Sequence, residues 1–237
     1  MIQGDLFRNS QLEMSAVPLP GADLQTDWSS LLTNRILVVT AILAILINLP
    51  NFFRIFGSIL HCMRIARANS ILEHSYSQAM MRNQTAWAHL IPIALLADRF
   101  DIIGPAVFDR LDPVWHSLLT LGMILAFLVV RFILFAFFKP HKMSAEAGTT
   151  VHRILFTFSI TLGIIALATT GIMLIFNAPD TAIRSALLWE TGIIWFLSLI
   201  RTGQILGTSC RGFSTFLYLC AFEIVPAAGL VAATTLL

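Results

Sequence analysis

Four long apolar runs, residues 36–53, 114–138, 154–176 and 213–237, limit what this chain can fold into more than any other feature. Each holds 18 or more residues. An α-helix rises about 1.5 Å per residue, so about 20 apolar residues cross the roughly 30 Å hydrocarbon core of a bilayer. A fifth run, 182–200, is interrupted only by Arg184 and Glu190. The two-residue alternation of a membrane barrel is missing. The chain is 57% hydrophobic and 12% charged, against about 25% charged in an average soluble domain. That leaves too few charges to solvate a soluble surface. A soluble enzyme, a disordered segment and a secreted disulfide scaffold are therefore excluded. A net charge of +2 gives no sign of a nucleic-acid partner. The expected fold is all-α, a multi-pass transmembrane helix bundle.

The number of spans turns on residues 85–97, an apolar but short stretch followed by Asp98, Arg99 and Asp101. Basic residues collect on the cytoplasmic side of membrane proteins. If 85–97 crosses, there are six spans. Nine Lys and Arg then lie on one side (Arg54, Arg64, Arg67, Arg82, Lys139, Lys142, Arg153, Arg201 and Arg211) and five on the other. If it does not cross, the two sides hold seven each. Only six spans give an asymmetry, and they place both termini outside the cytoplasm. Residues 1–33 read as a polar extracytoplasmic tail without the apolar core of a signal peptide. Residues 34–237 read as one membrane domain. Between the first two spans, Phe52, Phe56, Ile59, Leu60 and Met63 recur at helical spacing, so the first helix should run past the membrane. Asn69 and Ser70 should interrupt it. Ser70 and Glu73 fit a capping box that starts a new helix. The result is a cytoplasmic helical hairpin, with an interfacial helix on anionic headgroups as the alternative.

The stretch Phe216-Leu217-Tyr218-Leu219-Cys220-Ala221-Phe222-Glu223-Ile224-Val225-Pro226 resembles the ending of a family of Bacteroidetes inner-membrane proteins, domain of unknown function 4271. The basic segment Arg54 to Arg82, Arg131 in the third span, and Leu199-Ile200-Arg201 followed by Gly203 and Gly207 resemble the family in the same order. The second span, with Asp98-Arg99-Phe100-Asp101, is more polar than the family pattern. The resemblance implies a helical inner-membrane protein and carries no activity, substrate or cofactor.

Four intramembrane polar side chains are the candidate site residues: Glu223, Arg131, Arg201 and Glu190. A charge near the bilayer centre costs about 2.5–3.5 kcal/mol even on insertion scales, so each must be paired, neutral or in contact with water. Glu223 lies ten residues into the last run. Pro226 follows, removes a backbone donor and should kink the helix beside it. Arg131 is the expected partner of Glu223, with Arg201 as its competitor and snorkelling as the alternative for Arg131. Glu190 should pair in the outer leaflet or bond a neighbouring helix. Two readings of the Glu223 group stand: a buried pair that fixes helix packing, or a proton, cation or headgroup site.

No two of the six histidines have the helical spacing of a metal site. Asp98, Asp101, Asp109 and Asp112 are interleaved with Arg99 and Arg110 and read as a solvated loop. Cys62, Cys210 and Cys220 read as free thiols. No nucleotide, hydrolase or zinc motif is present. The expectation is a non-enzymatic structural or accessory component of a bacterial inner-membrane assembly, without cofactor or metal. Its partners are the lipid bilayer and another membrane protein or a second copy of the chain. The alternative is a small transporter or a lipid-headgroup-handling protein that uses the Glu223–Arg131 pair.

Overall fold

The computed structural model describes residues 28–103, 112–137, 145–209 and 212–236, and all regular structure among them is helical. After a 3-10 turn at Trp28–Ser30, the helices are α1 (Leu32–Arg64), α2 (Ala66–His74), α3 (Tyr76–Arg99), α4 (His116–Phe137), α5 (Ala145–Ile175) and α6 (Asp180–Ser209). The last segment is α7 (Gly212–Leu219), a π-helical turn (Cys220–Ile224) and α8 (Val225–Leu236). Four helices, Leu32–Arg64, Pro113–Phe137, Gly148–Ile175 and Asp180–Thr208, are long and apolar enough to cross a membrane. Their outward side chains are those a hydrocarbon solvent favours. On α1, Ile36, Val39, Ile42, Leu43, Leu46 and Ile47 are all exposed.

Helix α3 is the centre of the packing. Its residues Ala79, Arg82, Thr85, Ala86, Ala88, His89, Leu90, Pro92, Ala94, Leu95 and Ala97 are buried, and it packs against α1, α4 and α5. Small residues on such a face let neighbouring backbones approach. Ile55 and Ile59 of α1, Ala86 of α3 and Ile160 of α5 form one core cluster. Val151, Ile154 and Phe158 of α5 pack with Ile194, Ile205 and Leu206 of α6. The low hydropathy of α3 goes with its place, since much of its surface meets other helices.

The boundaries around α2 correct the sequence expectation. Asn69 and Ser70 do not break a helix; they lie inside α2, and the breaks fall at Ile65 and Ser75 in extended conformations. The capping box does not form. Asn69 is buried, and its Nδ2 donates to the Cys62 and Ala66 carbonyls at 3.1 and 3.3 Å. Glu73 turns to Arg82 and Arg153. The last four carbonyls of α1, orphaned in any helix, are thereby all engaged. His61 accepts from the Ile65 N–H, Cys62 from Asn69, and Met63 and Arg64 from Arg201.

At the opposite end, α3 and α5 both stop in left-handed caps. Asp101 and Asn177 have φ of 47° and 53°. In each, the next residue's N–H reaches five residues back, Ile102 to the Ala97 carbonyl at 2.8 Å and Ala178 to Met173 at 2.9 Å. This is the Schellman arrangement, and Asn and Asp tolerate its left-handed position better than most side chains.

Among the described glycines, the tightest contact is at Gly163 of α5. A Cβ built there would lie 2.9 Å from Cδ2 and 3.2 Å from Cβ of the buried His89. Gly163→Ala should therefore lower the melting temperature in detergent, as overpacking costs about 1–3 kcal/mol. Gly171→Ala and Gly192→Ala meet nothing within 4 Å and should be neutral or stabilising, since alanine favours a helix by about 0.5–1 kcal/mol. Equal melting temperatures for Gly163→Ala and the two controls would contradict this packing.

Candidate functional site

Proline at 226 removes the N–H that would bond the Phe222 carbonyl four residues back. The backbone answers with a wider turn rather than the simple proline kink expected. The Val225 N–H donates to the Cys220 carbonyl, five residues back, and Cys220–Ile224 is π-helical. Such single wide turns are frequent at functional sites. Glu223 stands in this turn and is 3% exposed.

Its partner is Arg131 of α4. The Arg131 Nη2 donates to Glu223 Oε1 in a buried ion pair, and Nη1 donates to the His152 carbonyl of α5 at 3.2 Å. Nε is buried without a partner. The rings of Phe132 and Phe135 stand 5.3 and 5.2 Å from the His152 ring and close the apolar side of the group. One guanidinium thus joins three chain segments, α4, α5 and the π-turn. Arg131 does not snorkel: its side chain is 5% exposed.

Arg201, the competing partner, is elsewhere. Its Nε and Nη2 donate to the Met63 carbonyl at 3.0 and 2.7 Å, Nη2 also to the Arg64 carbonyl at 2.7 Å, and Nη1 to Gln204. A cation on the carbonyl end of α1 also opposes the helix dipole favourably. Glu190 accepts a hydrogen bond from Thr169 of α5, and its Oε2 is buried without a partner. Arg184 stands 3.5 Å from Asp101. Asp98 accepts from Trp28 Nε1 at 2.6 Å and from Ser117. Residues 104–111, with Asp109 and Arg110 of the expected loop, lie outside the described residues, as does Cys210.

Two polar groups escaped the sequence reading. The first is Glu73 with Arg82 and Arg153, the latter at 3.2 Å. Arg82 is 1% exposed and also donates to Asn83. Its one sequence sign is a solitary acid among Arg54, Arg64, Arg67 and Arg82. The second ties the other end of the bundle. Asn34 Nδ2 donates to the Trp28 carbonyl at 2.9 Å, and Ser117 bridges Asn34 Oδ1, at 2.7 Å, and Asp98. Two of its contacts, Trp28 with Asp98 and Asn34 with Ser117, join residues 70 and 83 apart, and no spacing announces them.

Buried hydroxyls of Thr157, Thr170, Ser198 and Thr202 on α5 and α6 have no hydrogen-bond partner. Among the described residues, no three His, Cys, Asp or Glu side chains are grouped to hold a metal ion. Comparison with protein-family models, with curated proteins and with solved structures returned no match.

Removing one member of a buried pair typically costs about 3–5 kcal/mol because the survivor is uncompensated, whereas removing both costs less. Glu223→Gln and Arg131→Met should each lower the melting temperature in detergent, and the double variant should recover part of the loss. Strictly additive losses would show that the two are not coupled.

Proposed function

We propose that this chain is a six-span inner-membrane protein whose role is structural or accessory within a membrane assembly, without an enzymatic step of its own. The observation that carries the reading is the use made of its intramembrane charges. Arg131 and Glu223 are spent on each other at the junction of three segments. Arg201 closes the end of α1, and Glu190 joins α6 to α5. Each candidate bonds another helix, which is what a bundle needs to hold its shape. The resemblance of the last segment to an inner-membrane family is consistent with this reading.

The charge pattern supports the orientation. Hydrogen bonds and ion pairs group the helix ends: Trp28, Asn34, Asp98 and Ser117 at one, with Arg99 3.4 Å from Asp180, and Glu73, Arg82, Arg153 and Arg201 at the other. Among the described residues, and setting aside the mutually paired Arg131 and Glu223, the half of the bundle that holds Glu73 carries Arg54, Arg64, Arg67, Arg82, Arg153 and Arg201 against Glu73 and Glu146. The other half carries Arg35, Arg99 and Arg184 against Asp98, Asp101, Asp112 and Asp180. The arginine-rich half is the cytoplasmic one by the positive-inside tendency. The depth of α3 in the bundle supports its crossing despite its modest hydropathy.

Cysteine labelling tests the topology. In a Cys-free background, Thr181→Cys should react with an impermeant thiol reagent in intact cells, and Arg67→Cys and Gly207→Cys only after permeabilisation. All three positions are exposed. Labelling of positions 67 and 181 from the same side would mean that α3 does not cross.

A deletion strain tests the role. If the Glu223–Arg131 pair serves architecture, the double variant Glu223→Gln with Arg131→Met restores whatever growth or envelope defect the single variants cause, in step with its recovered stability. A defect that persists in a double variant of near-native melting temperature would shift the role to ion or proton handling by Glu223.

A further inference from the structure

One cavity lies away from the buried pair, at the arginine-rich half of the bundle. It measures about 230 Å³ and is lined by Gly57, Ser58, His61 and Cys62 of α1, by Leu72 of α2 and by Gln78 of α3, among others. Three of the eight lining residues, Ser58, His61 and Gln78, are polar. The pocket is smaller than the roughly 300–1,000 Å³ that encloses a whole small-molecule ligand, so it has room for part of a larger molecule or a small head.

Charge brackets it. On a helix, residues three, four and seven apart share a face. Arg54, Ser58, His61 and Arg64 therefore form one stripe of α1 that runs along the pocket, with a cation at each end. Arg67 stands on α2 beside Ala68, another lining residue. The guanidiniums of Arg54, Arg64 and Arg67 are exposed and make no ion pair or hydrogen bond among the described residues. They differ in this from Arg82, Arg131, Arg153 and Arg201, all of which are engaged.

Height identifies the occupant. The exposed apolar face of α1 begins at Leu32 and Ile36. About 20 helical residues span the hydrocarbon core, which brings the chain to Gly57 where the core gives way to headgroups. Tyr76, 82% exposed at the start of α3 and two residues from Gln78, is an aromatic of the kind that collects at that level. Phe53, Phe56 and Leu60, exposed on α1 around the pocket, offer a track for acyl chains. A soluble phosphate would use the cations and leave these apolar side chains idle.

We propose that the pocket between α1, α2 and α3 is a binding site for an anionic phospholipid. The phosphate lies between Arg54 and Arg64, the glycerol and head lie in the cavity against Ser58, His61 and Gln78, and the acyl chains run back along α1. This rests on the membrane reading above and adds a ligand to it.

The test uses the purified full chain in a neutral detergent with three probes: dioctanoyl phosphatidylglycerol, dioctanoyl phosphatidylcholine and glycerol 3-phosphate. Phosphatidylglycerol should raise the melting temperature in a saturable way and persist as a one-to-one adduct in native mass spectrometry. The other two should do neither. Arg54→Gln with Arg64→Gln should weaken phosphatidylglycerol binding at least tenfold. Gly57→Leu should do the same by filling the cavity. A Cβ at Gly57 meets nothing within 4 Å, so this variant should keep its unliganded melting temperature. Equal binding of phosphatidylcholine would reduce the site to unselective apolar contact and overturn the proposal. Equal binding of glycerol 3-phosphate would assign it to a soluble phosphate compound and overturn the lipid. Unchanged affinity in both variants would move the lipid elsewhere. Alkaline carbonate extraction of native membranes tests the underlying reading separately: a chain released into the supernatant fails as a membrane protein whatever it binds in detergent.

Discussion

Hydrocarbon offers no hydrogen-bond partner, so helices suited to a bilayer must have their backbone polar groups answered by other parts of the chain. That constraint explains why the long-range hydrogen bonds described above recur at helix ends and at one wide turn. The carbonyl end of α1 is completed by Asn69 and Arg201. The first turns of α1 and α4 and the last turn of α3 are tied through Asn34, Ser117 and Asp98. The π-turn is held by Arg131. Apolar side chains of similar size would leave these helices free to slide, because lipid tails and leucines attract each other about as well as leucines do. Specific polar contacts at fixed heights set the register instead.

The two charged groups are not equivalent. Glu73 has two guanidiniums, one of them in Arg153, whose side chain is 41% exposed and still reaches solvent. Glu223 has one, at 5% exposure. A carboxylate with a half-wet second partner tolerates changes that an isolated pair does not. The Glu73 group joins α2, α3 and α5 by charge, with one member at the surface. The Glu223 group joins α4, α5 and the last segment with both charged side chains buried.

The sequence was most legible where it dealt with the lipid. The four apolar runs announced membrane helices, and four helices of that length and hydropathy are present, although the last run is divided by its π-turn into pieces too short to count among them. The fourth of these helices is instead α6, from the run interrupted by Arg184 and Glu190. Hydropathy reports lipid exposure, so it was least informative about α3, whose surroundings are protein. The expectation that Glu223 and Arg131 would meet came from the cost of two lone charges in one small bundle, an argument that needs no coordinates. The capping box failed for the opposite reason. Ser70 and Glu73 satisfied a local rule, but Asn69 and Glu73 had stronger claims on distant partners: the end of α1 and the guanidinium of Arg82. Local spacing does not reveal a contact across a helix break, and Ile65 carries no turn residue to announce one.

The separation of Arg131 from Glu223 along the chain has a consequence in time. The partners are 92 residues apart. At a synthesis rate of about 5–20 residues per second, the carboxylate leaves the ribosome about 5–20 s after the guanidinium. The loose end of α1 waits longer still, because Arg201 follows Met63 by 138 residues. During assembly the Arg131 guanidinium and the Met63 and Arg64 carbonyls therefore wait without these partners, which only the last third of the chain supplies. A chain truncated before its final helix would leave the α4 guanidinium on the His152 carbonyl alone, with no countercharge, a defect that quality-control machinery can recognise by charge.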